Sequence, residues 1–134
     1  MPHSIAIRVY YEDTDLAGIV YYANYLKFIE RARSEWVRAL GIDQAQMHAQ
    51  GAGVFVVRRV VADYRAPARF DDVLDVTTEH LSHSGARLEM RQCVLRAGKL
   101  LFEAQVTLVC LAPSGRPQPL PKGLLAALCK NITI

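Results

Sequence analysis

One long stretch with helical apolar spacing, set among strand-like segments, constrains this chain more than any other feature. From Asn24 to Leu40, apolar residues fall at Leu26, Ile29, Trp36, Val37 and Leu40, Ala32 fills the same stripe, and charges occupy the remainder. Gly41 then offers a stop. At a rise of about 1.5 Å per residue the helix would extend roughly 25 Å, enough to span a small sheet. Before it, Ile5, Ile7 and Val9 alternate with Ala6, Arg8 and Tyr10, which predicts a strand with one buried face. After it, Val54, Phe55, Val56, Val57, Val60 and Val61 lie within Gly53 to Ala66, and this β-branched run predicts a long strand buried on at least part of both faces. Pro67 ends it.

Three more strands follow at Asp72 to Leu81, Arg87 to Leu95 and Leu100 to Leu111, separated by Ser82-His83-Ser84-Gly85 and Ala97-Gly98-Lys99. They read as an antiparallel meander. Four prolines and one glycine make Pro113 to Pro121 a connector, and Lys122 to Lys130 reads as a short helix. The helix needs burial and the sheet needs a cover on its apolar face. The expected class is α+β: a curved five-stranded antiparallel sheet wrapped around one long helix.

With 134 residues, 51% of them hydrophobic, the chain can build one substantial core, so a single domain over 1–134 is expected. The net charge of +3 is spread along the chain, which argues against nucleic acid as a partner. No transmembrane segment is expected, because no stretch approaches the roughly 18 apolar residues of a span. The N-terminus reaches Arg8, Glu12 and Asp13 without a signal-like apolar core. The expectation is a soluble, cytoplasmic protein. Cys93, Cys110 and Cys129 are odd in number and widely spaced, which suggests core thiols and neither a disulfide framework nor a zinc knuckle.

Chemistry concentrates between the first strand and the long helix, in Tyr10-Tyr11-Glu12-Asp13-Thr14-Asp15-Leu16-Ala17-Gly18-Ile19-Val20-Tyr21-Tyr22-Ala23-Asn24-Tyr25. A carboxylate here can face a substrate while the helix supplies unpaired N–H donors and the positive end of its dipole. Taken alone, Asp13 and Asp15 read more readily as solvated acids at a strand end; the glycine, tyrosines and helix reverse that reading. Asp13 is expected to serve a turn or cap. Tyr21, Tyr22 and Tyr25 suit packing at the helix entry, a role compatible with substrate contact. His80 and His83 invite a metal reading, but their spacing in a strand puts them on opposite faces, so surface histidines and no metal are expected. Ser84 lacks the Gly-x-Ser-x-Gly elbow, and no Gly-rich phosphate loop follows a strand. Serine-hydrolase and nucleotide-hydrolysis chemistry lose their support.

The element order and the Asp-x-x-Gly-x-Val-Tyr-Tyr-x-x-Tyr pattern from Asp15 to Tyr25, followed by Phe28, Glu30 and Arg33, resemble the hot-dog-fold acyl-CoA thioesterases of the 4-hydroxybenzoyl-CoA thioesterase type. The chain is also similar to their Tol-Pal-associated branch, which tends to carry a histidine where this sequence has Tyr22. The resemblance covers nearly the whole chain. It implies hydrolysis of acyl-CoA, with Asp15 as nucleophile or general base and the Tyr22 backbone N–H as oxyanion donor. Gly18, Tyr21 and Tyr25 are implied around the acyl group together with Val54 to Val57, and Tyr11 orients Asp15 or lines the pocket. Arg58, Arg59, Arg65 and Arg69 form the most basic stretch, and guanidinium forks suit coenzyme A phosphates; alternation sends Arg58 and Arg59 to opposite faces. No cofactor is implied, and a homo-oligomer, most readily a tetramer paired through its sheets, is. A noncatalytic acyl-CoA or acyl-carrier binding module, or a hot-dog 3-hydroxyacyl-thioester dehydratase or hydratase, would share the same fold.

Overall fold

The computed structural model describes residues 2–132, so the outermost positions of the expected 1–134 domain lie outside the described residues. Strands β1 (His3–Arg8), β2 (Val54–Tyr64), β3 (Val73–Ser84), β4 (Arg87–Arg96) and β5 (Lys99–Leu111) form one sheet. Helices α1 (Asn24–Ala39), α2 (Gln44–Ala49) and α3 (Lys122–Ile132) complete the chain. The sheet order is β1-β3-β4-β5-β2, with antiparallel pairing throughout. The expected meander is therefore β3-β4-β5, flanked on either side by a strand from earlier in the chain. This is the hot-dog arrangement, a sheet wrapped around α1.

Strand alternation turns Leu74 and Val76, then Leu88, Met90 and Val94, then Phe102, Ala104, Val106 and Leu108 toward α1, and all are buried. The helix answers with Tyr25, Phe28, Ile29, Ala32, Trp36 and Val37. Its buried stripe is rotated from the expected one: Leu26 is 42% exposed and Phe28 is fully buried. Positions 25, 28, 29, 32 and 36 keep the i, i+3, i+4 spacing, and burying Phe28 contributes about 1.5–3 kcal/mol.

A polar cluster fixes where α1 sits along the sheet. Gln92, wholly buried on β4, donates from Nε2 to the Ile29 carbonyl (2.8 Å) and to Thr78 Oγ1 (2.9 Å). Its Oε1 accepts from Arg33 Nη1 at 3.0 Å. Burial pushes the Arg33 guanidinium below its ordinary range. A buried amide is tolerated here because its donors and acceptor are engaged.

Two elements depart from the sequence reading. Helix α2 was not anticipated; Asp43 caps it by accepting from the Gln46 N–H at 3.0 Å. Strand β2, expected to be buried on at least part of both faces, is an edge strand with Val56, Val57, Val60 and Val61 between 37% and 50% exposed. Among the described residues no strand pairs with its outer edge.

Candidate active site

The segment after β1 is built almost wholly from backbone hydrogen bonds. One 3-10 turn at Tyr11–Asp13 is closed by Asp13, whose Oδ2 accepts from the Tyr10 N–H at 2.8 Å, so Asp13 has the capping role expected of it. The chain then forms a miniature hairpin. Thr14 bridges Val20, the Asp15 N–H donates to the Ile19 carbonyl at 2.9 Å, and the Tyr21 N–H donates to the Asp13 carbonyl at 2.9 Å. Gly18 closes the turn at φ +79, a left-handed conformation that disfavours a side chain although a Cβ would meet nothing within 4 Å. Backbone conformation, not lack of space, is what calls for glycine here.

Thr14 and Val20 face the body of the protein, and alternation turns Asp15 and Tyr21 outward. Asp15 is exposed, and its Oδ1 accepts from the Ala17 N–H at 2.9 Å, which orients the carboxylate and leaves the other oxygen without a protein donor among the described residues. The hairpin is tied down by the 66–72 loop: Val20 donates to the Ala68 carbonyl at 2.8 Å and Ile19 bridges Arg69.

Helix α1 starts without a side-chain cap. Its N-cap is Ala23, and Asn24, where the spacing placed the helix start, is the first helical residue. The Asn24 N–H donates to the Tyr21 carbonyl at 2.8 Å. Because N–H and C=O of a trans peptide point in opposite directions, that bond turns the Tyr22 N–H away from the helix. Among the described residues this N–H donates no backbone hydrogen bond outside regular elements. Tyr64 Oη donates to the Tyr22 carbonyl at 2.8 Å, fixing the next peptide from the β2 side. A carboxylate and an outward N–H at the positive end of a helix are thus carried by one hairpin and its exit.

Tyr11, 84% exposed, stands edge-on to Phe70 at 6.5 Å, and the rings of Tyr21 and Tyr22 lie 4.9 Å apart. Phe70 was not anticipated, since it belongs to no periodic element. Tyr25 packs at the helix entry. It is only 3% exposed, stacks on Phe102 at 5.0 Å, and its hydroxyl accepts from the Ala68 N–H at 3.0 Å, so its contacts are those of a core residue. Burial raises its phenol pKa, with the Ala68 N–H opposing.

Arg58 and Arg59 lie mid-strand on β2. Their expected opposite-face placement fails, because a bulge between Val57 and Arg59 interrupts the alternation. Arg59 precedes Tyr64, whose hydroxyl reaches the Tyr22 carbonyl, by about 16 Å of strand. Arg65 is committed to an ion pair with Glu103. His80 and His83 are corrected likewise: a bulge between His80 and Ser82 turns both inward, with His80 Nε2 and His83 Nδ1 at 3.0 Å. Burial and the neighbouring His83 lower the His80 pKa. Val57 and Phe55 do line a cavity of about 240 Å³ against Glu30, Arg33 and Val37 of α1. Among the described residues, no helix is long and apolar enough to cross a membrane.

This geometry has relatives. The chain is 44% identical over 122 residues to the acyl-CoA thioester hydrolase YbgC of Escherichia coli O6:H1, covering 90% of each. It is 39% identical over 125 residues to the acyl-CoA thioesterase YbgC of Haemophilus influenzae, covering 92% of each. Among solved structures, a probable thioesterase from Bartonella henselae superposes with a TM-score of 0.86 at 36% identity, covering 90% of this chain and all of that one. A 1,4-dihydroxy-2-naphthoyl-CoA thioesterase from Synechocystis reaches a TM-score of 0.91 at 26% identity, with full coverage of both. The family model of the thioesterase-like superfamily matches residues 9–128, and the chain, with its hot-dog sheet around α1, belongs to that superfamily.

Proposed function

We propose that this chain hydrolyses acyl-CoA thioesters to a carboxylic acid and free coenzyme A at the Asp15 hairpin. The observation that carries the reading is the pairing of an outward carboxylate, braced by the Ala17 N–H at 2.9 Å, with an uncapped helix start whose Tyr22 N–H points away from the helix. The relatives named for acyl-CoA thioester hydrolysis support the substrate class.

Two routes use the same groups. As general base, Asp15 takes a proton from water, the hydroxide oxygen attacks the thioester carbon, and the tetrahedral oxyanion accepts a hydrogen bond from the Tyr22 N–H. Collapse breaks the C–S bond, and the coenzyme A thiolate recovers the proton from Asp15. As nucleophile, the free Asp15 oxygen attacks the thioester carbon instead, the tetrahedral adduct expels the coenzyme A thiolate to leave a mixed anhydride, and water hydrolyses that anhydride to the acid and the Asp15 carboxylate, its proton passing to the thiolate. Tyr11, Tyr21, Gly18 and the rings of Tyr22 and Phe70 surround the acyl end. Arg58 and Arg59, distant within one chain, meet the coenzyme A phosphates of a site shared between copies. That sharing follows from β2: its unpaired edge and exposed valines suit pairing with β2 of a second copy, and two such dimers make the homotetramer. The compartment consistent with this substrate is the cytoplasm.

Thiol release measured over short, long and aromatic acyl-CoAs tests the reading. Turnover by the wild-type chain that Asp15→Asn removes, with the fold retained, is the expected result. No turnover across the panel would leave a binding module, and unimpaired Asp15→Asn would remove Asp15 from the chemistry. Labelled oxygen appearing in Asp15 after turnover identifies the anhydride route.

A further inference from the structure

We propose that Asn24 is a positioning residue that locks the Asp15 hairpin and the Tyr22 donor into one unit; this rests on the reading above. Its backbone N–H donates to the Tyr21 carbonyl at 2.8 Å, while its side-chain Nδ2 donates to the Asp13 carbonyl at 2.9 Å. That same Asp13 carbonyl accepts the Tyr21 N–H at 2.9 Å. Asp13, Tyr21 and Asn24 therefore form a closed ring of three hydrogen bonds. One side of the ring is the strand that carries Asp15 two residues on. The opposite side is the peptide whose nitrogen is the Tyr22 donor. Sliding the hairpin along the helix axis, or tilting the Tyr22 N–H, breaks at least one of these bonds.

The residue type at this position supports the role. Asparagine is a poor helix former, and the first helical turn has no carboxylate and no side-chain cap. Asn24 does not cap the helix; its half-buried amide reaches back across eleven positions to the strand. An amide is the smallest uncharged side chain that presents an N–H at this reach. A carboxylate of the same shape would face the Asp13 carbonyl with an acceptor, and an alanine would leave the hairpin tied to the helix start by the backbone bonds alone. Either change leaves the Asp13 carbonyl its Tyr21 donor, so the local fold retains a partner for that group.

The test compares wild type, Asn24→Asp and Asn24→Ala in thiol release, each checked for fold by thermal melting. Misplacing a donor by a fraction of the reaction geometry costs turnover and leaves ground-state binding, so kcat is expected to fall about 10- to 100-fold with KM within about threefold. Asn24→Ala adds no charge, and the same split there separates positioning from an electrostatic effect on Asp15. A vibrational readout completes it. In an Asp15→Asn background that halts turnover, the isotope-edited thioester C=O stretch of bound acyl-CoA is expected to lie at lower frequency than in solution, and to return toward the solution value when Asn24→Ala is added. Unchanged kcat in a folded variant, or a loss of kcat with the C=O frequency unmoved, overturns the proposal while leaving the role of Asp15 standing. No thiol release by the wild-type chain overturns the hydrolysis reading, and this proposal with it.

Discussion

Two groups of aromatic residues flank the start of α1, and they have opposite fates. On the sheet side, Tyr25, Phe28 and Phe102 pack ring to ring, with Tyr25 stacked on Phe102 at 5.0 Å and edge-on to Phe28 at 6.1 Å. On the outer side, Tyr11, Phe70, Tyr21 and Tyr22 pair with one another but stay between 46% and 84% exposed. Composition does not separate the groups; their neighbours do. The inner rings meet β5 and the Ala68 backbone, whereas the outer rings are presented by a hairpin and a loop at the surface. Core aromatics stabilise the fold, and aromatics left open beside a carboxylate are available to a substrate or a partner subunit. Tyr64 touches both groups, with its ring 5.0 Å from Phe102 and its hydroxyl on the Tyr22 carbonyl.

That contrast can be broken from either side. The largest effect is expected from Asp15→Asn, which should lower kcat by about 10³-fold without moving the melting temperature, read by thiol release beside a thermal scan. Phe102→Ala should do the reverse, costing about 3–5 kcal/mol in denaturant unfolding and lowering activity only through loss of folded protein. Tyr25→Phe keeps the ring and removes the acceptor for the Ala68 N–H; about 1–3 kcal/mol of destabilisation is expected, and a neutral result would mean that water reaches that amide. Tyr11→Ala, on the outer side, should change stability by less than about 0.5 kcal/mol and raise KM, so a large loss of stability there would erase the distinction between the two groups.

The smallest expected effect concerns pH at the rim of the inner group. Burial would raise the Asp72 carboxyl, but the Arg69 N–H and the Arg96 guanidinium at 2.8 Å outweigh it and hold the pKa below the ordinary 3.8. A depressed folded-state pKa means stability that is complete above 3.8 and lost as pH falls through the folded value. The stability gap between wild type and Asp72→Asn should therefore be flat near neutrality and narrow on acidification below 3.8, as followed by denaturant melts across that range.

Most of the fold is legible because its signals are local. The 3.6-residue stripe of α1, the alternation along β3 to β5 and the glycine and proline breaks each depend on residues close in sequence. Helix α2 escaped although Asp43 offers a cap, because six residues carry too little periodicity to announce a helix. What else escaped depends on partners. The rotation of α1 that buries Phe28 and exposes Leu26 is set by the Gln92 amide on a strand 63 positions away. The bulges at Arg58 and Leu81 that defeat simple alternation arise from register against neighbouring strands. The exposure of the β2 valines follows from the strand's place at the sheet edge.

The same division runs through the site. The cap at Asp13 could be expected from the chain itself, because capping and turn chemistry are short-range, whereas the choice of Asp15 as the reacting acid is what the resemblance to the thioesterases implies. Tyr11, Tyr21, Tyr22 and Tyr25 could not be sorted, since they are one residue type in one segment, and burial is a property of what surrounds a ring. By itself the sequence determined the five strands and the long helix, and the acid that stands before the glycine turn. Only the tertiary structure decided which tyrosines are core, that the Tyr22 N–H is turned outward, and that Asn24 joins the hairpin to the helix. Periodicity and turn chemistry act over a few residues, whereas burial, strand register and the aim of a peptide plane are set by contacts between segments far apart in the chain.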